Sequence, residues 1–310
     1  DLNRDFIKCD SKNALSFNQL FSAWDPDIFI DTHTTNGSDH QYTFTLIASQ
    51  KDKLNPIISD FMYAEMVPSL FSSMKQKNME ITPYIYSMEN SPDNGIKAFL
   101  ETARYSSGYA SLFDCFSFIS EAHVYKSFKD RVIQTQEFLK ILIDFGVNNQ
   151  KEIKIARAKA REYEEQQSKF FLNWQLDSSK YEMLSFKGYE TLRLKSKLTG
   201  QNMRFYDTSN PYHKDIKYYS SYKAKDSISK PAFYVIPQAY DQVIERLKWN
   251  NISLIKIKSD TLIEVSSYII TDYDSPPKPY EGHYLHSNIK LKIKKQTLAF
   301  YQGDFLVSCK

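Results

Sequence analysis

Short apolar runs in the first third of the chain break off into polar clusters. Ile28-Phe29-Ile30 runs into Asp31-Thr32-His33, and Phe116-Ser117-Phe118-Ile119 runs into Ser120-Glu121-Ala122-His123. Residues 42–47 and 81–87 share this strand-like length and texture. Between them, residues 56–77 space their apolar positions as an amphipathic helix does, with a bend expected at Pro68. Strands alternating with helices predict the α/β class, with a mostly parallel or mixed sheet covered by helices. Residues 127–167 read as one long helical region that Gly146 and Asn148-Asn149 divide in two, its charged second half a solvated connector. Beyond residue 168 the period falls to two, predicting antiparallel strands with one helix over 237–249. The expected organisation is an α/β domain over 1–135, a helical connector over 136–167 and a β-rich accessory domain over 168–310.

Composition sharpens this in two ways. Aromatics reach 15%, with 22 Tyr and 21 Phe against 8 Gly, which favours pleated surfaces. The net charge of +3 points to no polyanionic partner, and no basic stripe reads as a nucleic-acid surface. Cys9, Cys115 and Cys309 lie far apart without metal-ligand spacing and read as buried thiols. No apolar run approaches the length of a membrane span.

Three segments carry candidate chemistry. Asn3-Arg4 offers planar donors, Arg4 with a fork that fits a carboxylate, or a plain ion pair with Asp5. His33 follows an apolar run, where ligands gather in open α/β sheets. It reads as a metal ligand oriented by Asp31 from the same strand face, or as a structural histidine. Glu121 also ends an apolar run. Partial burial there raises a carboxyl pKa towards the range a general base needs, and the alternative is a salt bridge to Lys126 or Arg131. His123 shares its face in a supporting role.

In this order, "DLNRDF", "DTHTTNG", "RYSSGY" and "SEAHVYKSFKDRV" resemble segments of the zinc carboxypeptidases, over roughly residues 1–135. The resemblance implies an exported, periplasmic or extracellular metallocarboxypeptidase that removes C-terminal amino acids from peptides or proteins. Asn3 and Arg4 would hold the terminal carboxylate, His33 would bind zinc, and Glu121 would activate the metal-bound water. Tyr109, with Arg104 beside it, would contact substrate. "YVIPQAYDQVIERLKWNNI" is similar to the second domain of bacterial members. The family's other two zinc ligands sit on a His-x-x-Glu upstream of the Asn-Arg pair, and none of the six histidines here begins that motif. The expectation is therefore a chain that is part of a longer one, that holds no zinc tightly and cleaves little by itself, with an open edge on the 116–119 strand. Non-catalytic recognition of peptide C termini and an amidase acting on cell-wall peptides are the alternatives. His283 and His286, in a Pro- and Gly-rich loop, read as solvated rather than as a metal pair.

Overall fold

Alternation along residues 116–123 throws Phe116 and Phe118 to one side of a strand and Ser117, Ile119, Glu121 and His123 to the other. The computed structural model, which describes residues 2–89 and 91–309, builds a mixed α/β structure around that strand. It divides into two compact units. Asp1–Asp5, Cys9–Ala23 and Pro231–Lys310 form the smaller, and Phe6–Lys8 with Trp24–Lys230 form the larger.

After helix α1 (Lys12–Trp24), the larger unit runs β1 (Ile28–Thr35), β2 (Phe44–Ala48), α2 (Pro56–Phe61), α3 (Val67–Gln76), β3 (Thr82–Pro83), β4 (Ile96–Lys97), α4 (Ser106–Ala110) and β5 (Phe116–His123). Then come α5 (Phe128–Asn148), α6 (Gln150–Gln166), β6 (Lys169–Leu176), β7 (Glu182–Lys195), β8 (Asn202–Tyr219) and β9 (Tyr222–Ser229). The smaller unit adds β10 (Phe233–Ile236), α7 (Asp241–Trp249), β11 (Ile255–Lys256), β12 (Thr261–Asp274), β13 (Ser287–Phe300) and β14 (Phe305–Ser308).

The main sheet has the order β1-β5-β2-β3 and is mixed: β1 runs parallel to β5, β2 antiparallel to β5, and β3 parallel to β2. The open edge expected on the 116–119 strand is not there, because β1 and β2 flank β5 on both sides. One face of the sheet packs Phe44, Leu46, Phe116 and Phe118 against helices α2, α3, α5 and α6. Each such side chain, fully withdrawn from water, contributes about 1.5–3 kcal/mol. In α5, Phe138, Ile141, Leu142 and Phe145 recur at helical spacing and turn inward together. Gly146 lies inside α5 rather than ending it, and a Cβ there would stand 3.1 Å from Ile28 Cδ1, so glycine lets the helix close on β1.

Two local expectations are revised. The helix over 56–77 is interrupted by a π-helical turn at Met62–Met66, and Pro68 opens the next helix instead of bending one. Proline has no N–H to give to the preceding turn, and the wider turn absorbs that loss. The stretch expected to be a solvated connector is core on one face: Ile153, Ala156 and Ala160 of α6 join the main hydrophobic cluster. Arg157 is buried with them, donating to Asp27 and Asp25 and to the carbonyls of Phe113 and Asp114. Among the described residues, no helix is long and apolar enough to cross a membrane.

Candidate functional site

Because β1 and β5 are parallel, their C-terminal halves open on the same side of the sheet. The register pairs Asp31 with Ile119, His33 with Glu121 and Thr35 with His123. Paired residues share a face, here the face away from the main helical core, where α4 packs through the bond from Ser117 Oγ to the Ser107 carbonyl. His33 therefore lies between two acids. Its Nε2 is 2.9 Å from Asp31 Oδ2 and its Nδ1 is 3.5 Å from Glu121 Oε1. Asp31 is the orienting partner proposed from strand alternation, and Glu121 is the cross-strand neighbour that only pairing could supply.

These contacts fix the charges. Hydrogen bonds to Asp31 first, then to Glu121, push the His33 imidazole up to about 10 against the opposing pull of burial. Burial would raise the Asp31 carboxyl, but its bond to His33 helps hold it below the usual carboxylate range. At neutral pH His33 is an imidazolium held between Asp31 and Glu121. A metal ion reaching that imidazole must first displace its proton.

A second polar cluster follows within a few residues. Gly37 takes a φ of +108°, a conformation that favours glycine, and turns the chain so that His40 goes inside. His40 and His123 are each 1% exposed and stack edge to face with ring centroids 4.9 Å apart. Lys126 Nζ donates to Asp39 Oδ1 at 2.8 Å and to the His40 carbonyl. Burial drives His40 down to about 3, helped by the His123 and Lys126 charges. Burial also lowers His123, whose Nδ1 accepts from the Tyr125 N–H at 3.3 Å. Of the alternative partners for Glu121, Lys126 pairs with Asp39 and Arg131 Nε donates to the Lys126 carbonyl, while Glu121 faces His33.

The remaining candidates belong to other elements. Tyr109 is fully buried on α4, its ring packed against Phe113 at 5.2 Å and Phe6 at 6.3 Å, so in this structure it is a packing residue rather than a substrate-facing hydroxyl. Arg104 is half-buried and its carbonyl accepts the Phe6 N–H. Asn3 and Arg4 sit in a 3-10 turn, Leu2–Arg4, of the smaller unit, where Arg4 Nη1 is 3.8 Å from Glu281 Oε1. Asp5 accepts the backbone N–H groups of Asp10 and Ser11 just ahead of α1. His283 and His286 have different partners: Asp10 at 2.6 Å for the first, Ser275 at 2.8 Å for the second.

Tyr84 escaped the sequence reading. Burial raises its hydroxyl, the Thr35 side chain pulls it back in part, and the Glu121 charge adds to the rise. Beyond it, a groove in the larger unit is lined by Gly37, Tyr84, Tyr86, Tyr125 and Arg204. Alternation along β1 could have flagged Thr35, but nothing local points to Tyr84, which follows a strand only two residues long.

No protein-family model, no curated protein and no solved structure matches this chain.

Proposed function

We propose that the β1–β5 rim belongs to a zinc carboxypeptidase site that works at peptide C termini, with His33 as a metal ligand and Glu121 as the general base. The observation that supports this reading is the register of two distant segments. It lays an imidazole against a carboxylate on one face, at the C-terminal ends of parallel strands, where α/β sheets take their ligands. Glu121, 8% exposed, is positioned to accept a proton, and Asp31 orients the imidazole.

The zinc itself is a different matter. A catalytic zinc takes three protein ligands. Among the described residues no group of three or more His, Cys, Asp or Glu is placed to hold a metal ion. The residues present therefore do not fit a tightly held zinc, and no bond-breaking step is derived through one. That incomplete set favours one second reading, a rim that binds peptide C termini without cutting them.

One experiment separates these. The 310-residue chain is incubated with zinc and peptides carrying a free or an amidated C terminus, and zinc uptake, peptide binding and released amino acids are measured together. The peptidase reading expects zinc-dependent release that falls about 10²–10⁴-fold in Glu121→Gln with zinc uptake retained, and loss of both in His33→Ala. Binding of the free carboxyl form without release selects the second reading. Neither release nor binding overturns both.

A further inference from the structure

The β7–β8 hairpin changes character along its length. At its base, Phe186 and Ile216 are buried with Tyr42 and Ile96. The register then shifts between Tyr189 and Glu190: Tyr189 pairs with Pro211 but Glu190 pairs with Asp207, so residues 208–210 loop out. Past that bulge both faces of the ribbon meet solvent. Leu192 pairs with Phe205 and Leu194 with Met203, which puts all four on one face. Their exposures are 45, 42, 44 and 49%, and Leu198, in the turn, is 94% exposed. Thr191 with Tyr206, Arg193 with Arg204, and Lys195 with Asn202 make the opposite face. That polar face borders the groove through Arg204 and Tyr206, so the apolar face looks away from it.

Charge selects what meets this face. Residues 191–206 contain Arg193, Lys195, Lys197 and Arg204 and no Asp or Glu. A second copy of the tip seated face to face would cover the apolar residues but leave the cations of both tips turned outward and unmatched. A nucleic acid would satisfy the cations but leave five large apolar side chains in water. An anionic bilayer satisfies both, because apolar residues enter the acyl boundary while basic ones meet headgroup phosphates. The strands of a ribbon lie only about 4.8 Å apart, so long basic side chains on its far face reach down past its edges. We propose that the tip of the β7–β8 hairpin is an anchor for anionic membrane surfaces, with Leu192, Leu194, Leu198, Met203 and Phe205 entering the lipid and Arg193, Lys195 and Lys197 holding its headgroups. The proposal is independent of any peptidase activity.

The β12–β13 hairpin supplies the control. It also exposes apolar residues, Leu262 at 72% and Ile293 at 62%, but mixes Glu264, Asp272 and Asp274 with its lysines, and Lys290 is bonded to Asp272 at 2.9 Å. The test is flotation of the 310-residue chain with vesicles of phosphatidylcholine alone or with added phosphatidylserine, over a range of salt. The expected result is flotation with the anionic vesicles only, weakening as salt rises. Leu198→Asp and the pair Lys195→Glu, Lys197→Glu each reduce it about tenfold or more, with an unchanged far-ultraviolet circular dichroism spectrum, whereas Leu262→Asp does not. Absence of flotation overturns the proposal. So does flotation indifferent to Leu198→Asp, a salt-sensitive duplex DNA complex equally indifferent to it, or a Leu198-dependent dimer that ignores vesicles.

Discussion

His33 and His40 sit on one short stretch of chain, yet burial and partners hold the first protonated and the second neutral. His33 stands on an edge strand, partly open to water, and is driven up to about 10. His40 is 1% exposed and is driven down to about 3. Partners make the first difference: two carboxylates reach the His33 ring, whereas the charges that act on the His40 ring are those of Lys126 and of His123, whose imidazole packs edge to face against it. Desolvation then dominates at His40, with the Tyr42 backbone contact offering only a smaller pull the other way. Half-burial beside acids makes a charged, exchangeable group, and full burial beside a cation makes an inert one.

The sharpest way to break this comparison is to strip the inner cluster of its ion pair. Lys126→Met leaves the Asp39 carboxylate, 7% exposed, without its countercharge at 2.8 Å, though the His40 backbone N–H still reaches the same oxygen. A buried charge stranded in this way costs about 3 kcal/mol or more. Asp31→Asn on the half-open rim costs about 1 kcal/mol. Urea denaturation of both variants checks the order. Equal losses would mean that the inner cluster is as hydrated as the rim.

The pH dependence of stability comes next in size, and the two histidines give opposite slopes. His40 has its folded pKa depressed, so below pH 6.5 the unfolded chain binds the proton first. Stability present above that value is lost as the pH falls towards about 3. His33 has its folded pKa raised, so its contribution is complete below pH 6.5 and is lost as the pH rises towards about 10. For His33 we expect roughly 2 kcal/mol, discounted from the full shift because its side chain is 22% exposed. His40→Phe should flatten the acid limb and His33→Gln the alkaline limb. Denaturation midpoints measured across pH would reverse the assignment if each variant flattened the other limb.

What the sequence made legible follows the same divide. Alternation and the apolar runs exposed β1 and β5, and with them Asp31, His33 and Glu121, because strand faces are written in a period of two. The His33–Glu121 register is a product of parallel pairing between segments far apart in the chain, which no local pattern encodes. The inner cluster went unread for a like reason: His40 and Lys126 lie in loops, and only the fold joins them. In α6, the buried stripe was present at helical spacing, but Ala156 and Ala160 are too small to stand out among so many charges. Tyr109 shows the reverse error, since a tyrosine in a substrate-like motif gave no sign that Phe6 and Phe113 would enclose it. The pairing of residues 9–23 with 231–310 in one unit is likewise a long-range outcome.

The smallest expected effect is also the one closest to the site. Both acids raise His33, but Asp31 stands at 2.9 Å and Glu121 at 3.5 Å, and the shorter bond carries more of the shift. Asp31→Asn should therefore lower the His33 titration by about one pH unit and Glu121→Gln by less. Both can be followed by imidazole proton resonances, with His40 as an internal reference that stays put. The order matters for function. If Asp31 does most of the holding, Glu121 is the freer carboxylate and is available to accept a proton from elsewhere. If Glu121→Gln produces the larger drop, that carboxylate is committed to His33, and the general-base assignment fails even though the geometry is unchanged.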